Sequence, residues 1–170
     1  MIIALAEDLE IAAVLDRREA VIAVATGEVS AAALHADWLV MSTDARLPID
    51  PTRHIGLGSA GAAMLGALVW RMGTRARRFL LSGPAEVNAE QAWEWGIADA
   101  LVPDGVDPLQ WTRQWASSRS GLAFDAAALL LRSRGGDPLE RAMFAWLFST
   151  GEPQEGLRAF LEKRPARFRR

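Results

Sequence analysis

Few side chains in this 170-residue chain are suited to moving protons. It has two histidines, His35 and His54, and no cysteine. An imidazole titrates near neutral pH, so either histidine can act as an acid or base there. Asp50 adds a carboxylate near His54, inside the irregular stretch Pro48–Gly58, PIDPTRHIGLG. Each has a bland alternative: a packed or exposed histidine, and an aspartate that opens a turn before Pro51. The lack of cysteine excludes a thiol nucleophile, a disulfide scaffold and a zinc–cysteine site. Two histidines leave little for a histidine metal site, so no metal is expected.

These residues need elements to position them. Met1–Ala6 and Ala20–Thr26 are apolar runs rich in β-branched residues and read as buried strands. Asp8–Arg18 between them carries Leu9, Ala12, Ala13 and Leu15 at helical spacing, so strand–helix–strand with a parallel crossover is expected. Asp37–Ser42 is a third strand candidate, and Pro48–Gly58 reads as a loop. Ser59 opens a helix to Met72 that Gly73 ends, and Thr74 caps the next, which stops at Ser82-Gly83-Pro84. Asn88 caps Ala89–Trp95, and Ile97–Val102 is a short strand closed by Pro103. Helices then follow at Pro108–Ser118, Ala123–Arg132, Pro138–Phe148 and Glu152–Arg164. The expected organisation is an α/β core over residues 1–104 and a helical region over 105–170.

Charge narrows the partners. Nineteen basic residues, of which Lys163 is the one lysine, stand against 21 acidic ones, for a net charge of −2. That balance argues against broad nucleic-acid binding, which needs a strongly basic face. The apolar start carries Glu7, Asp8 and Glu10 and lacks a signal-peptide pattern. Ile55–Val69 is broken by glycines and too short for a membrane span. A cytoplasmic protein is expected.

Two longer stretches resemble a known family. Gly73–Pro103, GTRARRFLLSGPAEVNAEQAWEWGIADALVP, is similar to the enoyl-CoA hydratase/isomerase (crotonase) pattern in which a Gly-ended helix leads to L-T-G-x-x-x-x-A-x-x-A-x-x-x-G. Glu140–Phe168, ERAMFAWLFSTGEPQEGLRAFLEKRPARF, resembles that family's C-terminal helices. VIAVATGEVSAAA and DWLVMSTDARL resemble its middle segments, so the likeness runs from about Ala20 to the C-terminus. The resemblance implies a crotonase-like α/β fold of repeated ββα units with a trailing helical region that packs in trimers or hexamers. It implies an acyl-CoA substrate, with coenzyme A entering as part of that substrate and no separate cofactor. Two backbone N–H groups would hold the thioester oxygen as it gains enolate charge.

The same likeness places the site. Against the family pattern only about 20 residues precede the VIAVA strand, which implies early strands that are absent or condensed. The first oxyanion donor maps to Ala6-Glu7-Asp8-Leu9, with Glu7 as the candidate N–H. The second maps to Ser30-Ala31-Ala32-Ala33, where the family has glycines, with Ala31 or Ala32 as donor. An N–H does not need glycine unless φ is positive. His35 falls where one catalytic glutamate is expected, and ARLPIDPTRHIG holds no glutamate for the other; Asp50 and His54 flank that place. Without two glutamates, proton shuttling by one base, as in an isomerase, suits the sequence better than standard hydration. The rivals are thioester hydrolysis and a non-catalytic relative that binds or assembles. Phe160 and Lys163 map to the region that contacts the coenzyme A nucleotide.

Other patterns carry less. Gly56-x-Gly58-x-x-Gly61 lacks the preceding strand and following acid of a dinucleotide site. Arg71, Arg75, Arg77 and Arg78 read as a solvated helix face, or as a contact for coenzyme A phosphates. Trp93, Trp111, Trp115 and Trp146 fall on helix stripes, as core or as subunit contacts.

Overall fold

The computed structural model describes residues 1–49, 59–76, 84–133 and 136–168, with side chains of 59–63 excepted. The described chain forms two units: residues 3–17 with 21–111, and residues 1–2 with 18–20 and 112–170.

The larger unit is built on a four-stranded sheet in the order β1 (Ile2–Leu5), β2 (Val21–Ala25), β3 (Trp38–Met41), β6 (Ala100–Leu101). β2 and β3 run parallel with Ile22 opposite Trp38, and β3 and β6 run parallel with Val40 opposite Ala100. The β-branched run of β2 is buried at every position, as a central parallel strand must be. A one-turn helix, α2 (Ala31–Leu34), lies in the crossover from β2 to β3. β4 (Arg46–Pro48) and β5 (Glu86–Asn88) form a separate antiparallel pair with Leu47 opposite Val87. Its first strand ends on Pro48, the first residue of the stretch expected to be loop. Three residues carry no readable alternation, and the partner lies about 40 residues on.

The expected helix over Asp8–Arg18 is interrupted. A 3-10 turn covers Ala6–Asp8, Leu9 and Glu10 are extended, and α1 is only Ile11–Leu15. No side chain caps α1, so nothing extends the helix backwards through Leu9. α3 (Ser59–Met72) ends where expected, with Gly73 at φ 57. The helix expected after Thr74 lies mostly outside the described residues. α4 (Ala89–Glu94) opens on a full capping box between Asn88 and Gln91 and closes at Gly96, φ 75. Val21, Ala23, Leu34, Leu39, Met41, Leu68 and Ile97 meet in the core with no measurable exposure. Burial stabilises each large side chain there by about 1.5–3 kcal/mol.

α5 (Pro108–Ser117) crosses the boundary between the units. The second unit continues with α6 (Gly121–Arg132), α7 (Asp137–Ser149) and α8 (Glu152–Leu161). Asp125 on α6 ties down the strand entry by accepting the Ala20 N–H at 2.8 Å. Trp115 meets Phe124 edge-on at 6.1 Å, and Arg119 stacks over Trp115 at 3.9 Å. α7 buries no residue, and Phe144, Phe148, Leu157, Phe160 and Leu161 stand exposed. Trp93 and Trp146 are likewise exposed, so the core alternative fails for both. No helix among the described residues is long and apolar enough to cross a membrane.

Candidate functional site

The chain leaves β1 and folds straight into the turn Ala6–Asp8, which buries Ala6 and leaves Glu7 and Asp8 exposed. α2 starts beside it. Ser30 caps α2: its Oγ accepts the Ala33 N–H at 3.2 Å and donates to the Ala6 carbonyl at 3.0 Å. One hydroxyl therefore joins the candidate first donor segment to the candidate second. Ser30 is extended (φ −77, ψ 159) and the residues after it are helical. No position of Ser30-Ala31-Ala32-Ala33 has positive φ, so alanine is tolerated throughout. The N–H groups of Ala31 and Ala32 lie in the first helical turn, where no intrahelical acceptor exists. Among the described residues neither N–H has a hydrogen-bond acceptor.

His35 follows at the other end of α2. Its N–H bonds back to the Ala32 carbonyl at 3.1 Å, and the residue is half-buried. Four residues of helix rise about 6 Å, which sets the distance from the donors to His35. The other two proton-transfer candidates, Asp50 and His54, lie outside the described residues, as do Arg77 and Arg78.

Arg71 is not on a solvated face. Its side chain is 3% exposed and reaches from the end of α3 into the backbone around His35. Nε donates to the Leu34 carbonyl at 2.7 Å and Nη2 to the Ala36 carbonyl at 2.6 Å. Nη1 donates to the Ile97 carbonyl and to Asp99 Oδ2, both at 2.9 Å. The same Asp99 oxygen accepts the Leu39 N–H at 2.7 Å. The buried charge is thus paired and fully directed, which burial of a guanidinium requires. This corrects the surface and phosphate readings of Arg71 alike; Arg75 is exposed.

Phe160 and Lys163 belong to the second unit. Phe160 is 79% exposed, so it is not core. Lys163 is exposed and has φ 52, the one positive φ outside glycine among the described residues. It closes α8 as glycine usually does: its N–H bonds the Phe160 carbonyl and the Arg164 N–H bonds the Ala159 carbonyl. Nearby, Glu155 takes Arg164 at 2.7 Å and the Arg167 N–H at 2.8 Å. The Arg164 guanidinium foremost, then that N–H, hold the Glu155 carboxyl at about 2 against an ordinary 4.5. Glu155 and then Glu162 push Arg164 upward in return. The motif around Lys163 is therefore braced by its own ion pairs.

An open cleft of about 500 Å³ lies elsewhere in the larger unit, beside Thr43, Trp93, Pro103, Asp104 and Trp111. Asp99 also lines it, whereas Ala31, Ala32, His35 and Arg71 do not. Sequence reasoning missed two contributors. Ser30 had a local signal, a serine directly before a short apolar helix. Arg71 had none, because its acceptors lie about 35 and 26 residues away.

Comparison with known proteins bears on the family and the fold. The enoyl-CoA hydratase/isomerase family profile matches residues 10–170. A Thermus thermophilus protein, provisionally named an enoyl-CoA hydratase, is 30% identical over 144 residues, 80% of this chain and 56% of its own length. The solved enoyl-CoA hydratase/isomerase from Cupriavidus metallidurans superposes with a TM-score of 0.71 at 29% identity, over 94% of this chain and 65% of that one. An enoyl-CoA hydratase/isomerase family structure from Hyphomonas neptunium gives 0.67 at 26%, over 94% and 64%. The chain thus spans between about half and two thirds of the length of these relatives.

Proposed function

The chain belongs to the enoyl-CoA hydratase/isomerase family, and on that premise we propose that it binds an acyl-CoA thioester and stabilises its enolate. The carrying observation is the Ser30 hydroxyl, which seats the start of α2 against the turn after β1. In this reading the Glu7 N–H and that of Ala31 or Ala32 hold the thioester oxygen. Removal of an α-proton puts negative charge on that oxygen, and the donors are worth most at that moment. In this reading His35 takes the proton, with Asp50 and His54 as further shuttle groups. A base that takes and returns one proton moves a double bond without adding water, so isomerisation is favoured over hydration. Phe160 and Lys163 contact the coenzyme A nucleotide, and the exposed apolar residues of α7 and α8 pack three copies together.

The test is calorimetric titration with acetoacetyl-CoA, followed by isomerisation, hydration and hydrolysis assays on enoyl-CoA esters. Saturable binding with isomerase turnover that falls at least about tenfold in His35→Ala is expected. Coenzyme A release without isomerisation would move the reading to a hydrolase. No binding of any acyl-CoA would make the chain a non-catalytic relative.

A further inference from the structure

We propose that Arg71 is a positioning residue for the site, setting both the donors at the start of α2 and His35 at its end. The proposal rests on the thioester reading above and adds to it a residue that touches no substrate. The geometry is specific. The guanidinium takes the carbonyls of Leu34 and Ala36, the residues before and after His35, at 2.7 and 2.6 Å. With the chain gripped one residue before and one residue after His35, the segment that carries the imidazole is restrained from both sides. The remaining bonds, to the Ile97 carbonyl and Asp99, anchor the clamp to the segment before β6 and, through the Leu39 N–H, to β3.

α2 has a single turn. A helix that short does not hold itself together in water, so contacts at its ends decide its orientation. Ser30 fixes the start and Arg71 the end. The cation also faces the carbonyl end of the helix, where positive charge is favourable. Lysine cannot replace it: three donors on one nitrogen do not span carbonyls that the planar fork reaches separately.

The test compares Arg71→Lys with the wild type and with Arg113→Gln, a charge change at an exposed position on α5. Two readouts are used. The first is the enolate absorbance of bound acetoacetyl-CoA, which reports the donors directly. The second is the amide spectrum of Ala31, Ala32 and His35 with the pH titration of the His35 imidazole, which needs no ligand. Arg71→Lys is expected to bind acetoacetyl-CoA within about threefold of wild type while losing about tenfold or more of the enolate signal. The three amides and the His35 titration shift, and Arg113→Gln changes neither. Unchanged enolate and unchanged amides in a folded Arg71→Lys protein would overturn the proposal. A wild type that binds no acyl-CoA would overturn the thioester reading only; the amide and imidazole shifts would then decide on Arg71 alone. If Arg71→Lys does not fold, Asp99→Asn loosens the same clamp from outside, and an absence of shifts at Ala31, Ala32 and His35 in that variant is the overturning result.

Discussion

Replacing Ser30 by alanine tests the join on which the site depends. The change deletes one atom with two bonds: acceptance of the Ala33 N–H at 3.2 Å and donation to the Ala6 carbonyl at 3.0 Å. Loss of an N-cap costs about 1 kcal/mol. Loss of the bond to Ala6, a residue 4% exposed, costs about another 1 kcal/mol because its carbonyl is left without that partner. The sum, about 2 kcal/mol, lowers the melting temperature of a chain of this size by about 4–8 °C. Stability read by urea unfolding should show the loss in the midpoint at unchanged slope. Acetoacetyl-CoA should still bind, with its enolate absorbance reduced about tenfold, since a donor to an oxyanion is worth about 1.5–3 kcal/mol. Ser30→Thr keeps the hydroxyl and should recover most of both effects. Stability within about 0.5 kcal/mol of wild type together with full enolate absorbance would refute the argument that this hydroxyl sets the site.

Three further outcomes follow from other parts of the structure. Because the Glu155 carboxyl is held at about 2 against 4.5, its bond to Arg164 stabilises fully above about pH 4.5 and is lost as pH falls to about 2. The difference in melting temperature between wild type and Glu155→Gln should therefore be constant above that range and close towards its lower end. Lys163 sits at φ 52, where glycine is the residue without strain, so Lys163→Gly should gain about 0.5–1 kcal/mol in thermal unfolding. The same variant should bind coenzyme A more weakly if the lysine contacts its phosphates, and unchanged affinity would remove it from the site. Phe144 and Phe148 stack at 4.5 Å on α7 at 61% and 48% exposure; on the proposed packing of three copies, Phe144→Asp should leave monomer in sedimentation where the wild type gives trimer.

The parts of this structure that could be read from the sequence are those fixed by local signals. β2 and β3 announce themselves as unbroken apolar runs, and α4 by Asn88 in front and Gly96 behind. Apolar stripes punctuated by glycine and proline placed the C-terminal helices within a few residues. The β4–β5 pair could not be read, because three-residue strands leave no period and pairing about 40 residues apart leaves no local trace. Arg71 could not be read either. Its neighbours Arg75, Arg77 and Arg78 made it look like one of a surface cluster, whereas its side chain serves carbonyls that tertiary folding brings to it. In the candidate site, Ala31, Ala32 and His35 are candidates that the resemblance to the family's turn supplies. What holds them it does not supply.

The alanines of that turn need not weaken it. Family glycines there allow unusual backbone angles, and alanine would be excluded if those angles were used. In this chain they are not: Ser30 is extended, and Ala31 to Leu34 are right-handed helix. The Ala32 and Ala33 methyls are instead buried, at 4% and 0% exposure, with Ala33 and Leu34 in the central cluster. Each methyl adds apolar contact that glycine lacks, and each alanine loses less backbone entropy on folding than glycine does. A turn built from flexible residues must be held by what surrounds it. This one is held by its own methyls against the core, by Ser30 at its start and by Arg71 at its end. The loss of glycine thus leaves the Ala31 and Ala32 N–H groups in the first helical turn and stiffens the segment that carries them, which suits the donor role proposed there, because donors that are already oriented do not have to reorganise when charge appears.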